Sequence, residues 1–236
     1  PIGVERYIRI INKKNCSMAG KKHVSEAEAL EQYRVSFENV EKQPNIATIM
    51  AEFGYDEVVL TEGKTLLTTT RAAFDFNKKE DDETSEAYKN FTTLKENVAT
   101  TYTLHRKKAK VIYRNELTTL QKLSITGSVP TAYIKWLETV KKFYTVALAD
   151  TEIQLKLVRL KVTVEELNGT LQLITNLEEA RAAYLREKGE SQDATKQKDK
   201  AFGEMDDWMS AFYAVAKIAL EDSPQLLESL GKFVRS

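Results

Sequence analysis

Apolar residues recur along this chain at alternating intervals of three and four, which is the spacing of one face of an α-helix. The first such stretch runs from about Ser25 to Glu41. It starts with a Ser25-x-x-Glu28 capping box, in which the two side chains satisfy free amides of the first turn. A second stretch with the same pattern covers about Thr131 to Ala149. The pattern therefore predicts two amphipathic helices of similar length.

Longer periodic stretches follow each of these helices in pairs. They cover about Asp56 to Lys79, about Thr84 to Leu123, about Thr163 to Lys188 and about Ser191 to Glu221. The polar sequences Glu80-Asp81-Asp82-Glu83 and Lys188-Gly189-Glu190 separate the members of each pair and predict hairpin tips. We therefore expect antiparallel helical hairpins that form a four-helix-bundle-like core, with shorter helices packed against it.

The chain matches itself without a gap when it is displaced by 107 residues, so that residues 23–125 fall on residues 130–232. Identical pairs include Leu30/Leu137, Ile46/Ile153, Glu80/Glu187 and Glu83/Glu190. About half of such pairs arise by chance, because helical sequences share a composition rich in Leu, Ala, Glu and Lys. The stronger indication is that apolar positions keep the same register over many helical turns.

This repeat predicts an internally duplicated all-α fold. Its parts are an N-terminal extension over residues 1–19, a helical repeat over residues 20–127 and a second helical repeat over residues 128–236. We expect the repeats to pack as one domain, because the connector near Gly127 to Pro130 is too short to act as a free linker. Two separate three-helix units in a row are the alternative.

Composition agrees with long helices and excludes several classes of protein. The chain has only 9 Gly and 4 Pro among 236 residues, and both residue types interrupt regular structure. Its 42% hydrophobic and 30% charged residues exclude a disordered or collagen-like chain. The 35 basic residues balance the 35 acidic ones, so no overall charge selects nucleic acid or an anionic membrane. The same balance weakens repulsion between copies and permits self-association.

The start of the chain gives no targeting signal that we recognise. Residues 1–17 mix apolar and charged side chains, and Met18-Ala19-Gly20 is typical of a natural start, so native chain and upstream extension are both open interpretations. The single cysteine, Cys16, cannot form an intramolecular disulfide or a cysteine-based zinc site. No stretch approaches the roughly 18 apolar residues of a membrane span. We therefore expect a cytoplasmic location.

Candidate motifs for chemistry fail on spacing. Gly63-Lys64-Thr65 resembles the end of a phosphate-binding loop, but position 58 is Val where that motif needs Gly. His23 and His105 lack the spaced carboxylates of zinc or di-iron sites. We expect His23 to be exposed and His105, which lies on an apolar stripe, to be a packing residue.

Acidic residues do not form a catalytic pair in the sequence. The acidic tip Glu80-Asp81-Asp82-Glu83 lacks the ligand spacing of a calcium loop, and we expect it to be solvated. The pairs Glu178/Glu179 and Asp206/Asp207 are adjacent, so their side chains diverge around a helix. We therefore predict no catalytic, cofactor-binding or metal-binding residue, no cofactor, and no enzymatic activity.

Two further groups of residues have a structural and a functional interpretation. The basic cluster is Arg106, Lys107, Lys108, Lys110 and Arg114. We interpret it as a solvated helix face, with contact to nucleic acid or anionic lipid as the alternative. The aromatic and methionine group is Trp136, Phe143, Tyr144, Met205, Trp208, Met209, Phe212 and Tyr213. We interpret it as core, with an apolar ligand pocket as the alternative.

Three stretches of the chain carry a family resemblance. They are Gly54-Tyr55-Asp56, Leu60-x-x-Gly63-x-x-Leu66-Leu67, and the C-terminal part from Trp208 through Pro224-Gln225-Leu226-Leu227 to Gly231. They resemble an uncharacterised family of bacterial duplicated all-helical proteins, over nearly all of residues 20–236. The resemblance implies a soluble bacterial helical protein and brings no activity, cofactor or catalytic residue with it.

The abundance of packing signals and the lack of chemical ones favour a structural function. We predict a non-enzymatic helical scaffold or protein–protein interaction protein, whose partner is another protein or a second copy of the chain. The alternative is a soluble helical-bundle protein that binds a membrane or a small apolar ligand. We expect no nucleic acid partner, and we favour membrane contact less than protein contact.

Overall fold

The computed structural model describes residues 24–231, and these residues form α-helices and no strand. The helices are α1 (Glu26–Lys42), α2 (Pro44–Glu52), α3 (Glu57–Ile112), α4 (Leu117–Lys122), α5 (Tyr133–Ala149), α6 (Thr151–Val158), α7 (Val164–Ala219) and α8 (Gln225–Ser229). The predicted all-α class is confirmed. The predicted extension over residues 1–19, Cys16 and His23 lie outside the described residues.

The two predicted hairpin tips are wrong, because both lie inside continuous helices. Residues 80–83 continue α3 and residues 188–190 continue α7, and each of these helices is 56 residues long. Charged residues are as compatible with an exposed helix surface as with a solvated tip, and a single glycine costs a helix only about 1 kcal/mol. Gly189 is not among the positive-φ glycines of the described residues, so it does not make the left-handed turn of a helix end.

Local signals at two helix ends behave as their residue types predict. Ser25 and Glu28 form the complete capping box of α1, with both reciprocal hydrogen bonds present. Gly54 has a φ of 88° and follows α2, where the amide of Tyr55 donates to the carbonyl of Met50 at 2.9 Å. This is the geometry of a Schellman motif, in which a left-handed residue ends a helix.

The helix order repeats along the chain. Displacement of α1 by 107 residues gives 133–149, the bounds of α5, and displacement of α3 gives 164–219, the bounds of α7. Left-handed backbone recurs in the same way, since Gly54 falls on Lys161 and Ser124 falls on Gly231. We propose that this correspondence reflects a duplication.

The described residues divide into two compact units, and both long helices contribute to each. Unit 1 contains the described residues up to Phe74 and those from Lys198 onward, whereas unit 2 is Asp75–Gln197. Each unit therefore combines segments from both predicted repeats. The repeat boundary near residue 127 stays a prediction about ancestry and does not coincide with a boundary between these units.

The core of unit 1 is formed by α1, α2, the start of α3 and the end of α7. It includes Phe37, Val40, Met50 and Phe212, all nearly inaccessible to solvent. The hydroxyl of Thr70 donates to the carbonyl of Ala201 across the helix pair at 3.1 Å. A second helix contact brings Gly63 against Trp208, so the α3 and α7 segments run antiparallel in this unit.

The core of unit 2 is formed by the remaining parts of α3 and α7 with α5 and α6. Tyr102, Phe143 and Tyr144 are fully buried there, and the rings of Tyr102 and Phe143 meet edge to face at 5.6 Å. The side-chain amide of Asn77 donates to the hydroxyl of Thr195 at 3.1 Å, and Thr84 donates to the carbonyl of Glu187 at 3.0 Å. The long helices are therefore also antiparallel in unit 2.

Candidate functional site

The sequence Gly63-Lys64-Thr65, which resembles the end of a phosphate-binding loop, lies within α3 in unit 1. It takes part in packing. A methyl group on Gly63 would lie 2.5 Å from ring atoms of Trp208 and 2.8 Å from Phe37, so the absence of a side chain lets these rings approach the helix. Lys64 forms an ion pair with Glu41. The backbone amides here serve the helix and are not free to bind phosphate.

The aromatic and methionine residues predicted as core separate into the two units. Trp208, Phe212 and Tyr213 belong with Met205 and Met209 to unit 1, where the Trp208 and Phe212 rings stack at 5.5 Å. Trp136, Phe143 and Tyr144 belong to unit 2. Seven of these eight residues are buried and Trp208 is half-buried, which confirms the core interpretation for the group.

Unit 2 contains a buried polar cluster centred on His105 of α3. The His105 side chain is 4% exposed, its Nδ1 lies 3.1 Å from the Tyr144 hydroxyl, and its Nε2 lies 3.9 Å from a carboxylate oxygen of Glu166. Burial lowers the pKa of His105, the Glu166 charge opposes this shift, and Lys108 adds to it. His105 is therefore a buried, hydrogen-bonded residue, as the sequence predicts, and a substrate has no direct access to it.

One carboxylate of each predicted diverging pair has a hydrogen-bond partner. Asp206 accepts a hydrogen bond from the Tyr33 hydroxyl at 2.7 Å in unit 1. Glu178 accepts two from the Lys141 ammonium, at 2.9 and 3.1 Å, in unit 2. Each of these two carboxylates is thus held by a neighbour of its own within its unit.

An acidic groove of about 450 Å³ lies between α3 and α7 in unit 2. Its lining residues are Glu83, Glu86, Ala87, Asn90, Ala180, Ala183 and Glu187. Three alanines form its apolar part, and carboxylates surround them. The groove has the charge to attract a cationic group and enough apolar surface to accept a small side chain.

Next to this groove, three glutamates from α3 and α7 approach one another. Glu80, Glu187 and Glu190 each offer a carboxylate oxygen within 4.8 Å of the other two, and Glu80 is only 5% exposed. Lys79 lies 3.6 Å from Glu80 and compensates part of the charge. A cluster of carboxylates does not by itself define a cation site, so we assign no metal to these three residues.

The sequence contains a signal for this convergence. Glu80 falls on Glu187 and Glu83 falls on Glu190 in the displaced self-match. Equivalent glutamates on two antiparallel helices are brought together if the helices cross at that level. The interpretation of residues 80–83 as an exposed tip hid this possibility.

A basic groove of about 440 Å³ lies along the C-terminal part of α3, also in unit 2. It is lined by Thr103, Arg106, Lys107, Lys110, Val111 and Arg114. The Arg106 guanidinium donates to the carbonyl of Gly127, so this side chain is held in place. Lys107, Val111 and Arg114 are exposed, and Val111 keeps 62% of its surface in water. The predicted basic cluster is therefore a partly apolar, positively charged surface.

Comparison with known proteins gives no relative from which a function could be transferred. No family model, no curated protein and no solved structure matches the chain. The resemblance to a bacterial family stays a prediction. Within residues 24–231, we find no helix with both the length and the apolar character to cross a bilayer.

Proposed function

We propose that the protein is a non-enzymatic helical scaffold or protein–protein interaction protein that associates with other copies of itself. The observation that carries this proposal is the surface of α3 in unit 2, which bears an acidic groove, a basic groove and large exposed apolar side chains. Leu104 is 51% exposed and Val111 is 62% exposed on this helix. Exposed apolar side chains among opposite charges are typical of a surface that is covered in a complex.

The chemistry of the polar residues supports the same proposal. His105 is buried against Tyr144, Asp206 accepts from Tyr33, and Glu178 is held by Lys141. General acid–base catalysis needs a titratable group that reaches a bound substrate. A function based on surface contacts does not require the buried His105 to reach a ligand. We include a cytoplasmic location in the proposal.

Sedimentation velocity over a concentration series tests the proposal. If the chain self-associates, its weight-average sedimentation coefficient rises with concentration and approaches that of a defined oligomer. A coefficient that stays at the monomer value over the whole series contradicts self-association. Cross-linking followed by mass spectrometry then provides a second measurement, because linked peptides identify the surface that is buried.

Binding to an anionic membrane is the second candidate function, and the basic groove favours it. Lys107, Lys110 and Arg114 surround Val111, a combination typical of surfaces that rest on lipid headgroups. Co-sedimentation with vesicles of anionic and of zwitterionic lipid tests this candidate. Retention by anionic vesicles alone supports it, and equal recovery in the supernatant with both lipids contradicts it.

A further inference from the structure

One line of residues on α3, from Glu86 to Val111 in unit 2, is exposed to solvent. From Glu86 to Val111, each residue reached by alternate steps of four and three is exposed to solvent, and Arg114, just beyond the helix, continues the series. This spacing keeps successive side chains close to a single line along the helix. The line provides a continuous face against which another helix can lie.

The charges on the exposed line itself are separated by sign, and the exposed residues Lys89 and Glu96 lie beside this line. Glu83 and Glu86 lie at its N-terminal end, whereas Lys107, Lys110 and Arg114 lie at its C-terminal end. Glu86 and Lys107 are 21 positions apart in the sequence, which corresponds to about 32 Å at 1.5 Å per residue. The exposed line between the two ends carries uncharged side chains, which are Asn90, Thr93, Asn97, Thr100 and Leu104.

We propose that a second copy of this chain binds to this face, with the two α3 helices antiparallel across a twofold axis. An antiparallel arrangement places the acidic end of each copy on the basic end of the other, so both ends are matched by one symmetry operation. In the register that pairs Glu86 with Lys107 of the second copy, Glu83 faces Lys110, whereas Arg114, which follows the helix, lies opposite Lys79. This dimer rests on the proposed function, self-association, and assigns the contact to the exposed face of α3.

Leu104 is the apolar residue of the face that gains an aliphatic contact in this register, whereas Val111 lies opposite Asp82 of the second copy. Leu104 lies opposite Lys89 of the second copy, which is next to Asn90 at the edge of the acidic groove. Leu104, half of whose surface is in water in one copy, would lose contact with water against the aliphatic stem of Lys89.

A second copy fits this face better than a partner with charge of one sign. A nucleic acid or an anionic membrane would match Lys107 and Lys110 but would bring no positive charge to Glu86, while Glu83 is already paired with Lys79. A basic protein would match only Glu83 and Glu86. Since a contact along one helix face is small, we expect a reversible dimer whose stability depends on ionic strength.

The test uses the full chain and two charge-reversal variants. Lys107→Glu/Lys110→Glu makes both ends of the face acidic, and Glu83→Lys/Glu86→Lys makes both ends basic. We expect each variant alone to lose the dimer and an equimolar mixture of the two to recover it as a heterodimer. Lys135→Glu/Lys142→Glu, which changes two exposed lysines of α5, is the control for the first variant, with the same change in net charge.

Sedimentation velocity at low and high ionic strength gives the readout. The Debye length falls from about 30 Å at 0.01 M to about 3 Å at 1 M salt, so we expect the apparent Kd of the wild-type dimer to rise at least about tenfold between these conditions. The control variant should dimerise like the wild type. Circular dichroism of each variant verifies that the helix content is unchanged.

Other results overturn the proposal in distinguishable ways. If the wild type self-associates and the reversals have no effect, or if the mixture does not recover the dimer, the surface is wrong while the proposed function stands. If the wild type is monomeric under all conditions, self-association itself fails. If the monomer binds anionic vesicles and Lys107→Glu/Lys110→Glu abolishes this binding, the face serves a membrane instead of a second copy.

Discussion

Among individual residues, the two units use equivalent positions differently. Displacement by 107 residues places His105 of unit 2 on Phe212 of unit 1, and it places Tyr144 on Phe37. Phe37 and Phe212 have their ring centroids 6.3 Å apart in unit 1, whereas His105 and Tyr144 share a hydrogen-bonding contact in unit 2. At these positions the core of unit 1 therefore has two packed aromatic rings, whereas the core of unit 2 has a buried histidine that contacts a tyrosine hydroxyl.

Burial of His105 gives the folding stability a dependence on pH. The pKa of His105 is lowered from its ordinary value of 6.5, so the unfolded chain binds a proton at a higher pH than the folded chain does. Stability is therefore lost as the pH falls below about 6.5. As the pH falls through this range, we expect the free energy of unfolding to decrease more for the wild type than for His105→Gln. Urea titrations at a series of pH values measure it, and a constant difference would contradict the prediction.

Close packing at Gly63 predicts a large effect of a small substitution. Gly63→Ala introduces a methyl group 2.5 Å from Trp208, and we expect it to lower the free energy of unfolding by about 1–3 kcal/mol. Gly203→Ala in α7 is the matched control, because nothing lies within 4 Å of the added methyl group. It should raise stability by about 0.5–1 kcal/mol through helix propensity. Equal effects of the two substitutions in thermal or urea unfolding would contradict this account of the packing.

Among the helices, the main finding is the continuity of α3 and α7 through residues that resemble turns. The apolar spacing predicted helices on both sides of Glu80 and of Gly189, but it did not predict whether the chain reverses there. A reversal depends on which distant segments pack together. Local composition does not carry this information, since acidic residues and a lone glycine are tolerated in both arrangements.

Substitution of Gly189 distinguishes a continuous helix from a hairpin tip. If α7 is continuous, Gly189→Ala raises the free energy of unfolding by about 0.5–1 kcal/mol, because alanine favours the helix and nothing lies within 4 Å of its methyl group. Gly54→Ala is the contrasting variant, since Gly54 has a φ of 88° and alanine there is strained by about 1–2 kcal/mol. Chemical denaturation measures both. Destabilisation by Gly189→Ala would favour the hairpin.

Across the described residues as a whole, the division into units does not follow the order of the chain. Unit 1 combines both ends of the described chain, and unit 2 is the segment between them. A balanced net charge conceals the separation of acidic and basic surfaces along α3 in unit 2. The proposed self-association therefore depends on where the charged residues lie on the surface, and not on the net charge of the chain.

Local patterns were sufficient to predict the helical class, the capping box at Ser25 and the buried character of His105, because these depend on hydrogen bonding within a turn and on the periodicity of apolar residues. They were not sufficient to predict that α3 and α7 are continuous, that Glu80 lies near Glu187, or which residues form each core. These features depend on contacts between residues far apart in the chain, and many pairings of helices are compatible with the same local pattern.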